Sequence, residues 1–316
     1  MTPRVFLVLV LAFTFSCSTA PQQPDTVTAS KNQAADFTKA GNEAFNKGLY
    51  DKALESFYLA LAYNVSVDNE RGMASSYNSV GSVDMARGNF DDAMKSFNRA
   101  YDLARKLNDR VLLVQTATKI GEVYLNTNQT EKATEKFMEA IKYQNGGVPE
   151  EDLAVLYHDL GSALKRLGKL DQALSYMNEA LRINDRLKRY EEAASNHYMI
   201  ASIYSENDQF DLALRHARMA LEDDKKVENT LGIAKDYLAL GLISRKKGDL
   251  EDAFSYMKKT YEIYTALKLL YPTLSIELEI KSVLKHLVET GTDLGLSEEV
   301  SRYKKALEFY EKRLNP

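Results

Sequence analysis

The sequence predicts an all-α solenoid of stacked helical hairpins, and three observations carry that prediction. A pattern of small and large residues returns every 40 positions, six times without an insertion. Six prolines and 15 glycines are few for 316 residues, which favours long helices over β structure or loops. Apolar residues on either side of each turn are spaced three and four apart, the pattern of amphipathic helices.

The register is set by Gly41, Gly81, Gly121, Gly161, Ala201 and Gly241. Twelve residues on stand Ala53, Ala93, Ala133, Ala173, Ala213 and Ala253. Four further on come Phe57, Phe97, Phe137, Met177, Ala217 and Met257, and three more lead to Ala60, Ala100, Ala140, Ala180, Ala220 and Thr260. Between the halves sit Gly48, Gly88, Asn128, Gly168, Asp208 and Gly248, of which Gly and Asn tolerate the left-handed backbone that ends a helix. Two residues later come Tyr50, Phe90, Thr130, Leu170, Phe210 and Leu250. The small positions let two helices approach, and the large one fills the space beside them. One hairpin cannot bury its own apolar face, so neighbours must stack into a continuous core.

The spacing predicts helix pairs at about 34–46 and 50–64, 69–87 and 90–107, and 109–127 and 130–143. Further pairs follow at about 150–167 and 170–187, 190–207 and 210–225, and 229–247 and 250–267. Beyond them the register breaks. A helix from Pro272 to about 291, a turn at Gly291 and Gly295, and a charged helix at about 297–314 read as a cap with a polar outer face.

These residues resemble the tetratricopeptide repeat (TPR): a small residue at the eighth position, Ala at the twentieth, an aromatic at the twenty-fourth and Ala at the twenty-seventh. The usual unit has about 34 residues, so this one is similar to a longer-helix, 40-residue variant. The resemblance implies a right-handed TPR α-solenoid of six helical hairpins over 34–267, closed by a degenerate capping hairpin over 268–316.

The first residues carry a different message. Arg4 is followed by an apolar run from Val5 to Phe15, the layout of a signal peptide and too short to span a bilayer. The run ends in Ser16-Cys17, which resembles a bacterial lipobox. Residues 1–16 would then be removed, Cys17 lipidated, and the polar stretch 17–33 would serve as a flexible tether. Cleavage after Ser18-Thr19-Ala20 is the alternative and would release a soluble periplasmic or secreted protein. The expected location is the cell envelope outside the cytoplasm, on a membrane through the lipid; Ser18 is compatible with sorting to an outer membrane, by resemblance to other lipoproteins.

Chemistry is sparse. The net charge of −4 and pI near 5.8 lack the basic excess of a nucleic-acid-binding domain. No H-E-x-x-H, phosphate loop or cysteine–histidine pair occurs among His158, His197, His216 and His286, so no catalytic residue, metal site or cofactor is expected. Adjacent His158 and Asp159 would point apart on a helix.

In the family, the first helix of each unit lines a concave groove. By position, that implies a partner-binding face of Asn42, Asn46, Asn78, Ser82, Gln115, Thr118, Glu122 and Asn126, then His158, Ser162, Lys165 and Arg166, then Tyr198, Ser202, Glu206, Lys235, Arg245 and Lys246. Hydrogen-bonding groups dominate the first half. Cations in the second half would favour a carboxylate or acidic peptide. The family's tail-carboxylate clamp is not implied, because Thr38 and Gln115 replace its lysines and Asn42 alone matches. The reading is a protein-protein interaction scaffold whose groove takes a partner peptide or helix. The alternative is a ligand-binding accessory subunit of an envelope transporter or sensor.

Overall fold

The computed structural model describes residues 26–314, which form fourteen α-helices and no strand. Six hairpins follow one another: α1 (Thr26–Asn46) with α2 (Tyr50–Ser66), α3 (Glu70–Ala86) with α4 (Phe90–Leu107), and α5 (Arg110–Asn126) with α6 (Thr130–Ile141). Next come α7 (Glu150–Arg166) with α8 (Leu170–Leu187), α9 (Tyr190–Glu206) with α10 (Phe210–Lys226), and α11 (Thr230–Lys247) with α12 (Leu250–Leu270). A seventh pair, α13 (Glu277–Asp293) and α14 (Ser297–Leu314), caps the array. The all-α solenoid of six 40-residue hairpins plus a capping hairpin is therefore the observed architecture.

The predicted small and large positions form the spine of the core. Ala53, Ala93, Ala133, Ala173, Ala213 and Ala253 are all fully buried, as are the six residues at the Ala60 to Thr260 positions. The glycines stand where helices touch: a methyl group on Gly41, Gly81 or Gly121 would lie 2.5, 2.6 or 2.3 Å from the ring of Phe57, Phe97 or Phe137. At Gly161 and Gly241 the opposing residue is the slimmer Met177 or Met257, and the gap is 3.0 or 2.9 Å. Where the small residue is Ala201, the opposing one shrinks to Ala217. Size is conserved across the pair rather than at either position.

A left-handed residue recurs about every 20 positions. Within hairpins it is Gly48, Gly88, Asn128, Gly168, Asp208 and Gly248; between hairpins it is Asp68, Asn108, Lys188 and Glu228. At each, the amide one residue later reaches back to a carbonyl five residues before it, as in Leu49 to Ala44 at 2.9 Å and Asn229 to Asp224 at 2.9 Å. This closes the orphaned carbonyls of the helix end. The junction between α6 and α7 departs from the rule, using Gly146 and Gly147 instead.

Two boundaries correct the sequence reading. The expected tether 17–33 is helical from Thr26 onward, because no proline or glycine interrupts 26–40 and Ala34 buries itself in the first hairpin. Residues 1–25, with the expected signal peptide and Cys17, lie outside the described residues. The helix expected from Pro272 starts at Glu277. Residues 271–276 instead form a turn, pinned by Lys268, whose ammonium donates to the carbonyls of Pro272 and Leu274 at 2.8 and 2.7 Å and meets Glu277 at 2.6 Å. Fixed φ favours proline in such a turn.

Candidate partner-binding groove

Each second helix packs on the first helix of the next hairpin. In addition, successive first helices touch one another along α1, α3, α5, α7, α9 and α11, and no pair of second helices makes a comparable contact. The first helices are thus the inner row of a curved array, and their outward residues line its concave face.

Two open clefts mark that face. The first, of about 350 Å³, takes Asn42 and Phe45 from α1, Asn78 and Ser82 from α3, Gln115, Thr118 and Lys119 from α5, and Asp152 and Val155 from α7. Its walls are set by hydrogen bonds between neighbouring helices. Asn78 Nδ2 donates to Thr116 Oγ1 at 2.8 Å, and Gln115 Nε2 donates to Asp152 at 2.8 Å. Burial raises the Asp152 carboxyl above its ordinary range, with the Gln115 bond opposing. The second cleft, of about 420 Å³, is built by Tyr198, Ser202, Ser205 and Glu206 of α9 and by Leu242, Arg245 and Lys246 of α11.

The expected groove residues thus divide. Asn42, Asn78, Ser82, Gln115 and Thr118 meet in the first cleft, and Tyr198, Ser202, Glu206, Arg245 and Lys246 meet in the second. His158 and Lys235 line a further cavity of about 590 Å³ between them. Glu122 is held by Lys119 at 2.7 Å, and Asn126 turns back to the Glu122 carbonyl of its own helix. Asn46 is exposed at the end of α1, and Ser162 is half-buried; neither lines these cavities.

Of the five cations expected to be available in the second half, all but Lys235 are engaged within the protein. Lys165 pairs with Glu206 at 2.5 Å. Arg245 bridges Glu289 and Asp293 of the cap at 2.6 and 3.3 Å. Arg166 donates to the Leu125 carbonyl at 3.1 Å, and Lys246 to Ser205 at 3.4 Å. A carboxylate ligand would have to displace these partners, so a preference for acidic peptides does not follow.

Two buried polar groupings escaped the sequence reading. His197 and His216 place their Nδ1 atoms 2.9 Å apart, so one ring donates from Nδ1 and the other, necessarily neutral, accepts there; burial lowers the pKa of both imidazoles. Burial, then the neighbouring His197, hold His216 down to about 4. The register shows the origin of the pair: the same two positions hold Tyr157 with Tyr176 and Tyr237 with Tyr256, both as ring pairs. The second grouping is at the hairpin interfaces. Asn64 donates to Ser76 at 3.2 Å and Asn184 to Asn196 at 2.8 Å, and Asn196 also reaches His158 Nδ1 at 2.9 Å. The equivalent pair at the next junction is Asp224 and Asp236. Aligning positions 64, 184 and 224 with 76, 196 and 236 would have exposed this ladder. Among the described residues, no group of three or more His, Cys, Asp or Glu is disposed to hold a metal ion.

Residues 72–145 and 152–226 match the sequence model of the tetratricopeptide repeat. The photosystem I assembly protein Ycf3 of Prochlorococcus marinus subsp. pastoris is 27% identical over 131 residues, which is 41% of this chain and 74% of the relative. Among solved structures, the tetratricopeptide-repeat sensor STAND protein PH0952 of Pyrococcus horikoshii superposes with a TM-score of 0.72 at 14% identity, over 92% of this chain and 44% of that one. A Rap protein complexed with competence and sporulation factor superposes at 0.60 with 17% identity, over 90% of this chain and 76% of that one. Those structural likenesses are of fold. The sequence match identifies tetratricopeptide repeats at residues 72–145 and 152–226.

Proposed function

We propose that this tetratricopeptide-repeat chain is an interaction scaffold whose concave face receives a peptide or helix of a partner protein in the cell envelope. The observation that carries the reading is the pair of clefts, one walled by four first helices and the other by two, both lined by mixed apolar and hydrogen-bonding groups. An extended segment laid across the row would meet side chains of one hairpin after another, which suits recognition of a chain better than of a compact solute. The relatives lend support by analogy: Ycf3 is described as a photosystem I assembly protein, and the Rap neighbour is complexed with competence and sporulation factor.

Lipidation of Cys17 would place the scaffold on a membrane outside the cytoplasm, and the apolar run that precedes the cysteine motivates this part of the proposal. Cys17→Ser should abolish the lipid mass and release the protein from membranes. Membrane association at unchanged mass would refute it.

The groove is tested by cross-linked capture from intact envelopes with the native chain beside Ser82→Arg and Ser202→Arg. Each variant blocks one cleft with a long cation and leaves the core untouched. Partners lost in one or both variants identify the cleft in use. Equal recovery of every partner by both would move recognition off the concave face.

A further inference from the structure

The interface between α10 and α11 repeats the polar cluster of the interface between α2 and α3, keeping the asparagine and glycine of Asn69 and Gly72 at Asn229 and Gly232 but changing the two facing side chains. At the earlier junction Asn69 donates to Asn64 Oδ1 at 2.7 Å, Gly72 leaves room for Asn64, and Asn64 donates to Ser76. At the later one Asn229 donates to Asp224 Oδ1 at 3.0 Å and Gly232 leaves room for Asp224, whose Oδ2 would lie 1.9 Å from a methyl group there. The side chain facing Asp224 is Asp236, not a serine or an asparagine. A neutral pair that supplied its own donor has become two carboxyls. Asp236 is only 2% exposed, and its Oδ2 accepts no hydrogen bond from any described residue. Burying an acceptor without a donor is costly; Asn184 Oδ1 and Asp159 Oδ2 share that condition, but only at Asp236 does the orphaned atom face a second carboxyl at the paired position of the repeat.

Both carboxyls line the cavity of about 590 Å³ on the concave side, together with Glu191, Tyr198 and Lys235. Three carboxyl groups thus face one ammonium. The neighbouring Asp223 is already bound to Lys226 at 2.7 Å, and His158, which also lines the cavity, has its pKa lowered by burial and is bonded to Asn196. Resting on the peptide-groove reading, we infer that this cavity is a subsite for the ammonium group of a lysine side chain on the bound peptide, with Asp236 and Asp224 as its acceptors. An ammonium brings three donors on a flexible stem, which is what the orphaned Oδ2 and its neighbours lack. Tyr198 supplies an aromatic wall, where a cation is also favourable. Empty, the site meets the same need with a proton: burial and then the Asp224 charge push Asp236 up to about 8. An arriving ammonium displaces that proton, so binding strengthens as the pH rises toward 8.5.

The test is calorimetric titration of the intact protein with an acetylated tri-lysine amide and, separately, spermidine, at pH 7.0 and 8.5. The expected result is binding of the peptide, tighter at pH 8.5. At pH 7.0 the heat should vary with the buffer because protons are released. The double variant Asp224→Asn, Asp236→Asn copies the Asn184–Asn196 pair and so keeps a fold-compatible interface; it should bind at least about tenfold more weakly. Glu191→Gln, on the exposed rim, should weaken binding about two- to threefold. No heat with the peptide at pH 8.5, or equal affinity in the double variant, overturns the subsite. Binding of spermidine alone overturns the assignment to a peptide. Because the probes are read without any partner, failure here leaves capture through Ser82 and Ser202 standing, and failure of that capture leaves this titration readable.

Discussion

Replacing Gly121 with alanine measures how closely the two helices of a hairpin meet. The new methyl carbon would lie 2.3 Å from Phe137 Cε1, with two more ring carbons at 2.6 and 2.7 Å, whereas ordinary contact begins near 3.4 Å. The ring is fully buried, so relief requires about 1 Å of movement by α6 or a strained side chain. Overpacking of this kind costs about 1–3 kcal/mol, and so short an approach belongs at the upper end. Alanine recovers about 1 kcal/mol of helix propensity over glycine, which leaves a net loss of about 2 kcal/mol. Gly161→Ala is the control. Its methyl group would stand 3.0 Å from the flexible Met177 and 3.2 Å from the Ala173 carbonyl oxygen, so milder crowding offsets the propensity gain and the net loss is about 0–1 kcal/mol. Urea unfolding followed by circular dichroism gives both numbers if the slope is unchanged. Equal stability of the two variants, or a more stable Gly121→Ala, would refute the close-packing argument and the register built on it.

Other expectations follow from the same geometry. Glu228 adopts φ 55°, where an L residue costs about 1–2 kcal/mol, so Glu228→Gly should raise stability by about 0.5–1 kcal/mol after the added freedom of the unfolded glycine; an unchanged or lower melting temperature would contradict it. Lys268→Ala removes the clamp on the 271–276 turn, and hydrogen–deuterium exchange should speed up across 277–314 while 150–226 stays protected; uniform exchange would show that the cap does not depend on it. Two pH effects have opposite signs. His216 is lowered to about 4, so protons prefer the unfolded chain and stability is lost as the pH falls from about 6.5 toward 4. Asp236 is raised to about 8, so protons prefer the folded chain and stability declines as the pH rises toward 8. Of these two, only the second acts above pH 6.5; melting temperature should drop between pH 6.5 and 8.5 in the native protein and drop less in Asp224→Asn, Asp236→Asn, where Asp159, also raised by burial, remains.

Period and size patterning made most of this architecture legible. Gly81 with Phe97 and Ala201 with Ala217 are local statements of helix approach, and a strict 40-residue step fixes which residues oppose each other. The left-handed residues between hairpins were harder to see, because Lys188 and Glu228 have no turn preference; tertiary packing holds them there against their propensity. The groove followed partly. Asn42, Asn78 and Ser82 converge because they share a helix face, but the pairing of Lys165 with Glu206 joins residues 41 apart on different helices. Side-chain direction on neighbouring elements decides such pairs, and spacing alone does not supply it. The Asp224–Asp236 pair was overlooked for a simpler reason: charged residues in an amphipathic helix are assigned to the wet side, and only alignment with Asn64 and Asn184 shows that these two lie inside.

The departure between α6 and α7 gives the array a mechanical character. Every other junction between Glu70 and Lys247 is a two- or three-residue bend locked by a backward hydrogen bond, which transmits force like a rigid coil. Here α6 stops at Ile141, two glycines follow, and Pro149 gives the next helix no amide at its start. The chain is stitched across this gap by Arg110, whose guanidinium donates to the Asn145 carbonyl at 3.1 Å. A spring with one soft winding extends there first. Pulled from its ends, or opened to seat a rigid partner, the protein should yield at 142–149, and a protease should nick it there before any other turn between Glu70 and Lys247, leaving one piece with three hairpins and another with three hairpins and the cap.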